Sequence, residues 1–240
     1  MKFTKTDLTF ITYKLPKDIL ALLRANENLF LAGGFIRSTI AGTKVSDIDL
    51  FGSSIEQLGF IADGLAQSRA GIRHNSHNAI TILAPPRMPV QFITRWLFTD
   101  PIALINSFDF TACQAVVWYD RMRGVYDSEC SDAFYPDLAA RRLVYTFPKR
   151  DEEVGGSMMR VFKFIRQGWN IQATSVAGVC ARLLQAVDQR AIDAAVKHEA
   201  NVHETLKQTE ERVVAMVITG LLRQVDPLTV IDKVDLMEEE

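Results

Sequence analysis

Apolar positions in the first half of the chain follow two periods in turn. Residues 16–25 (PKDILALLRA) set Ile19, Leu22 and Leu23 on one face behind an N-terminal proline, which predicts a short amphipathic helix. Residues 29–32 are a short apolar run stopped by Gly33-Gly34, the pattern of a buried strand ending in a tight turn, and residues 36–41 predict one or two helical turns. Residues 46–51 (SDIDLF) alternate, with Ile48 and Leu50 on one side and Asp47 and Asp49 on the other. Ile55, Leu58, Ile61 and Leu65 recur at helical spacing over 54–68, and 79–83 and 90–94 predict two strands joined by Ala84-Pro85-Pro86-Arg87. Asp100-Pro101 reads as an N-cap followed by proline at the first helical position, opening a helix to about residue 107. Residues 110–119 read as one long apolar strand, and 121–124 as the turn out of it.

Beyond about residue 126 the pattern turns helical. Met158, Val161, Phe162, Ile165 and Trp169 form one stripe; Val176, Val179, Cys180, Leu183 and Val187 form a second; Val213, Val214, Val217, Leu221 and Leu222 form a third. The expected architecture is α+β: a small mixed sheet with flanking helices over residues 1–125, then an all-helical half over 126–240, with a soft boundary.

Composition narrows the class. Apolar residues make up 48% and charged residues 23% of 240, with a net charge of −2, ordinary for a globular chain and no broad basic coat for nucleic acid. No DNA-binding motif stands out. Cys113, Cys130 and Cys180 are odd in number and far apart, without a C-x-x-C pair, which argues against a disulfide framework or zinc site and suits a reducing cytosol. No run of about 18 apolar residues predicts a membrane span, and MKFTKTDLTF has no signal-peptide core, so a cytoplasmic protein is expected. Glu238, Glu239 and Glu240 read as a solvated end.

Candidate chemistry gathers in three places in order: Gly33-Gly34 with Arg37, then Asp47-Ile48-Asp49, then Asp109 in FDFT. Asp-x-Asp on a strand puts both carboxylates on one face about 7 Å apart along the chain. Two such anionic groups favour a hard cation between them, and Mg²⁺ accepts these ligands together with substrate phosphates. Gly-Gly between strand and helix lets backbone N–H groups approach phosphate oxygens, and Arg37 adds a fork of donors.

The segment LAGGFIRSTIAGTKVSDIDLF resembles the active-site signature of the DNA polymerase beta-like nucleotidyltransferase superfamily, and more closely the head domain of class II CCA-adding enzymes and bacterial poly(A) polymerases. FDFTACQAVVWYD is similar to that family's Arg-Arg-Asp-Phe-Thr-x-Asn-Ala strand entry, and SMMRVFKFIRQGW to its Glu-Asp-x-x-Arg helix; the likeness spans about residues 29–169. It implies a nucleotidyltransferase palm in which Asp47 and Asp49 bind Mg²⁺ (or Mn²⁺), Gly33, Gly34 and Arg37 hold the triphosphate, and Asp109 contacts ribose or completes the metal site. Arg160 would reach the incoming base, with Lys163 beside it on the same helix. The implied reaction moves an NMP from an NTP to an acceptor hydroxyl, an RNA 3′ end being favoured, and releases pyrophosphate. A protein or small-molecule acceptor, or a catalytically silent nucleotide-binding module, are the alternatives.

The departures are specific. Arg37 is followed by Ser38 where the family has Asp, Gln91 stands where a third carboxylate is usual, Ser107-Phe108 replace two arginines, and Gly156-Ser157 replace Glu-Asp. The metal-binding part is kept and the template-reading part is not. Of the other candidates, His74 and His77 (HNSH) read as a solvated connection, His198 and His203 as surface, Arg141-Arg142 and Lys149-Arg150 as plain basic surface, Trp118 as core, and Trp96 as a residue that can stack on a base.

Overall fold

The computed structural model describes residues 1–148, 154–199 and 205–223, and the chain divides into two compact units, Met1–Pro148 and Lys149–Glu240. Lys149, Arg150, His203 and the three terminal glutamates lie outside the described residues.

The first unit is built on a seven-stranded mixed sheet. Its strands are β1 (Phe30–Ala32), β2 (Ile48–Phe51), β3 (Ile72–Asn75), β4 (Ala79–Leu83), β5 (Val90–Ile93), β6 (Ala115–Asp120) and β7 (Val125–Cys130), in the order β3-β4-β5-β2-β1-β6-β7. β2 and β5 run parallel; the other neighbours are antiparallel. Its helices are α1 (Lys5–Lys14), α2 (Lys17–Ala25), α3 (Gly34–Ile40), α4 (Ile55–Arg69), α5 (Pro101–Asn106) and α6 (Phe134–Ala139). Asp100 caps α5 through the N–H groups of Ile102 and Ala103, with Pro101 in the first turn, as the sequence predicts. Ser54 caps α4 in the same way, accepting from the Gln57 N–H.

The two faces of the sheet differ. On one, Leu31, Ile48, Leu50, Ile80, Ile82, Val90 and Phe92 are all buried. α4 lies over β3, β4 and β5 on this side, with its Gly59 close to Ile80 and Arg73. Arg69, at the end of α4, donates from Nε and Nη2 to both oxygens of Asp18 (2.8 and 3.0 Å) and from Nη1 to the Met88 carbonyl (3.2 Å), tying α2, α4 and the β4–β5 turn together.

The opposite face carries two different cross-strand rows. Phe30, Phe51, Ile93 and Ala79 sit opposite one another on β1, β2, β5 and β4 and are roofed by Leu104 and Ile105 of α5 with Trp96, Phe98 and Phe108. The next row is Ala32, Asp49, Gln91, Thr81 and His74, running out to the edge strand β3. From Asp49 onward this row is half-buried or exposed.

In four places the chain departs from the sequence-based expectation. β7 lies beyond residue 125, where only helices are expected, and pairs along its length with β6. β3 forms where HNSH predicts a loop, and its four residues are all exposed, so no buried alternation announces it. The expected strand over 110–119 begins only at Ala115, because Thr111–Cys113 form a 3₁₀ turn first. Helix α1 is also unannounced: Ile11 is its one buried residue.

In the second unit α7 (Gly156–Arg166), α8 (Ala173–Gln185), α9 (Gln189–Glu199) and α10 (Leu206–Arg223) confirm the helical reading. The stripe expected on α7 is rotated. Gly156, Ser157, Met159, Val161 and Phe164 are buried, while Phe162 and Ile165 are exposed. Phe164 meets Trp169 edge-on at 5.2 Å between ring centroids. Ile192 and Val196 of α9 pack on Val213 of α10. No helix among the described residues is long and apolar enough to cross a membrane.

Candidate active site

The residues singled out in the first unit converge where β1 ends. Ala32, its last residue, lies opposite Asp49 of β2, and the chain then turns through Gly33 into α3. Gly33 has φ +78° and ψ −132°, the mirror image of extended backbone and a region other residues rarely adopt. A Cβ there would stand 3.4 Å from Asp49 Oδ2 and 3.8 Å from the Phe108 ring, so the glycine lets the Asp49 carboxylate lie directly against the turn. The first N–H groups of α3 have no partner within the helix, as at any helix start.

Asp47 immediately precedes β2. Its Oδ1 accepts from Ser46 Oγ at 2.7 Å, and its Oδ2 accepts from Gln91 Nε2 at 3.4 Å. Gln91 itself is the parallel-register partner of Asp49. Asp47, Asp49 and Gln91 are therefore one group of two half-buried carboxylates and one amide on one face of the sheet. Among the described residues no cluster of three or more His, Cys, Asp or Glu side chains suits a metal ion. Asp47 and Asp49 are two oxygen donors on one face, the chemistry that a magnesium-type ion accepts together with water and phosphate.

Arg37, on α3, folds back toward the turn. Its Nη1 donates to Cys113 Sγ at 3.2 Å, and Nη2 stands 3.6 Å from where a Gly34 Cβ would be. Cys113 is buried and belongs to the 3₁₀ turn after Asp109; nothing in its spacing from Arg37 announces the contact. Asp109 is 1% exposed. Its segment is held by residues 144–146: Thr146 donates from N–H to the Asp109 carbonyl (3.0 Å) and from Oγ1 to the Phe108 carbonyl (2.6 Å), and the Thr111 N–H donates to the Val144 carbonyl (3.1 Å). The Thr111 hydroxyl also donates to Asp137, a buried carboxylate that accepts from Arg142 Nε at 2.8 Å and Nη2 at 2.6 Å.

Arg160 and Lys163 lie half-buried on α7 in the second unit. His74 is exposed on β3 and His77 in the turn that follows. Trp96 packs on the apolar row beneath α5, with the Arg95 guanidinium 5.2 Å from its ring centroid, a core-side placement rather than an open stacking platform.

Comparison with known proteins bears on this site. A family model described as "Gabija anti-defense 2 family protein" matches residues 2–141. The curated protein "Gabija anti-defense 2" of Bacillus phage SPbetaL7 is 26% identical over 99 residues, 41% of this chain and 24% of that protein, so the match spans about a quarter of its relative. Among solved structures, the Thermotoga maritima CCA-adding enzyme complexed with tRNA covers 89% of this chain at 14% identity and a TM-score of 0.51. CCA-adding enzymes solved with CTP and with ATP give 16% identity with TM-scores of 0.54 and 0.52. The chain spans about 54–55% of these enzymes, and at such identities the likeness is one of fold.

Proposed function

The chain belongs to the Gabija anti-defense 2 family, and from that premise we propose that it is a divalent-metal-dependent nucleotidyltransferase directed at a component of the defence its family name refers to. The observation that carries this reading is the Asp49 carboxylate lying against the Gly33 turn, with Asp47 and Gln91 beside it. That juxtaposition offers an anionic metal seat and a set of phosphate-facing backbone donors at one point. The nucleotidyltransferase fold of the neighbours, solved with CTP and ATP, supports a nucleoside triphosphate as donor.

Asp47 and Asp49 would hold Mg²⁺ or Mn²⁺, which when bound supplies charge neutralisation at the phosphates and a lowered pKa for the acceptor hydroxyl. The N–H groups of the Gly33-Gly34 turn and the Arg37 guanidinium bind the leaving phosphates and accumulate donors where charge develops on pyrophosphate. Cys113 holds Arg37 toward that turn. The Asp109 and Phe108 carbonyls, both held by Thr146, fix the segment whose Phe108 ring faces Gly33. The acceptor oxygen forms a bond to the α-phosphorus, the bond to the β-phosphate bridge breaks, pyrophosphate leaves with the electron pair, and the hydroxyl proton passes to solvent.

Incubation with each α-labelled NTP and Mg²⁺ or Mn²⁺ tests this, following pyrophosphate and label. Release that disappears in Asp47→Ala/Asp49→Ala is expected; full activity in the double variant would overturn the assignment. Gln91 favours a second reading. A neutral amide in contact with Asp47 offers no third negative charge, and a module that binds nucleotide without transfer follows if NTP binds in an Asp-dependent way and no pyrophosphate appears.

A further inference from the structure

The carboxylate pair does not stand alone on its sheet face. Asp49 is paired directly with Gln91, Gln91 with Thr81, and Thr81 with His74, so the four side chains form one line from the site to the open edge at β3. With strands about 4.8 Å apart, the line is about 14 Å long. Flanking its outer end on the same face are Leu83 and Ile72, paired with each other across β4 and β3 and exposed to 37% and 72%. The neighbouring apolar row is roofed by α5, whereas this stretch offers a hydroxyl, an imidazole and two bare aliphatic side chains to solvent.

We propose that this strip seats the acceptor, and that the acceptor is a polypeptide whose Ser, Thr or Tyr hydroxyl receives the nucleotidyl group. The inference rests on the nucleotidyltransferase reading above. Continuity of the row with Asp49 lets an acceptor lying on the strip reach the carboxylate pair. Its chemistry selects the class. Nucleic-acid affinity is dominated by cations on phosphates, yet the only basic residues on β2, β3, β4 and β5 are Arg73 and His74. Arg73 lies on the opposite face, paired with Asp63 of α4. An RNA tract laid on the strip would meet one imidazole and then two carboxylates. A peptide meets what it binds best: aliphatic contact at Ile72 and Leu83, and hydrogen-bonding groups at His74, Thr81 and Gln91. About four extended residues cover the distance from His74 to Asp49. The step balances as written above, with the peptide hydroxyl oxygen forming the new bond to phosphorus and pyrophosphate leaving.

The test uses the full chain, α-labelled NTP with Mn²⁺, and two probes: a degenerate peptide library with a central Ser, Thr or Tyr, and a single-stranded RNA with a free 3′ hydroxyl. Label should enter peptide. Ile72→Glu and Leu83→Glu, both at exposed positions, should raise the apparent peptide KM by about tenfold, with kcat and NTP affinity within about twofold of the parent. His74→Gln should show a smaller rise of the same kind. Label in RNA but not peptide, or a peptide KM untouched by either glutamate, overturns this proposal. Pyrophosphate release that depends on Asp47 and Asp49 without label in either probe also overturns it while leaving the reading of the site standing. Loss of NTP binding and pyrophosphate release in the parent protein overturns both.

Discussion

Substitution of Gly33 by alanine probes the site and the fold at once. The added Cβ meets Asp49 Oδ2 at 3.4 Å and two Phe108 ring atoms at 3.8 and 3.9 Å, which are ordinary contacts, so overlap contributes little. Backbone strain dominates: at φ +78° and ψ −132° an L-residue costs about 1–3 kcal/mol. The stiffer unfolded chain offsets about 0.4–1 kcal/mol of that. A net loss of about 1–2 kcal/mol should lower the melting temperature by about 2–8 °C for a unit of this size. Gly42→Ala is the control, with φ +65° and nothing within 4 Å of its Cβ position, away from the carboxylates. Both variants should melt early by circular dichroism, but only Gly33→Ala should weaken Mn²⁺-dependent NTP binding, because relief of the backbone strain there shifts the turn against which the Asp49 carboxylate lies. A Gly33→Ala protein melting at or above the parent would refute the backbone argument, and equal NTP binding in both variants would refute the link between turn and carboxylate.

Other outcomes follow from contacts described above. The Arg69 hydrogen bonds hold the Asp18 carboxyl below its ordinary range, so this pair stabilises the fold above pH about 4 and that contribution is lost as pH falls through the lowered value. Arg69→Met should cost about 2–3 kcal/mol at neutral pH and flatten the acid limb of urea-melt stability between pH 5 and 2; an unchanged acid limb would count against the pair. Gln91→Glu adds a third carboxylate beside Asp47, and Mn²⁺ affinity measured by electron paramagnetic resonance should rise about tenfold. An unchanged affinity would show that residue 91 does not face the metal seat. Burial pushes the Cys130 thiol up to about 11, so at pH 8 the folded protein should leave Cys130 unmodified by a disulfide reagent that reaches it in urea. Rapid native modification mapped to Cys130 by mass spectrometry would contradict its burial.

The sequence announced elements whose residues do two things at once, and hid those that do one. α2, β1, α3, β2, α4, β4, β5 and α5 each combine a buried stripe with a stop signal: Gly33-Gly34, Ser54, or Asp100-Pro101. β3 has no buried face, so Ile72–Asn75 offered no alternation to read, and the same polar composition made HNSH look like a loop. The apolar run at Phe110–Cys113 shows the converse, since burial alone does not separate a strand from a 3₁₀ turn. At the site, the carboxylates and glycines were legible because their spacing along one chain segment already fixed a common face. The partnership of Arg37 with Cys113 and the line from Asp49 to His74 were not, because both depend on strand order, which pairs residues far apart in sequence.

The two rims of the sheet are finished differently. At β7 the chain covers its own border: the Cys130 N–H donates to the Met1 carbonyl at 2.7 Å, and the Phe3 N–H donates to Ser128 Oγ at 3.2 Å. Among the described residues no backbone segment pairs with the outer side of β3, and the short strand carries Arg73 and His74 to the rim. A sheet with one accessible rim can be extended from one side. A contact of two such sheets through β3 pairs one rim with the other and is closed by symmetry at two copies. The same asymmetry leaves the rim beside the acceptor strip as the place where a foreign strand can join.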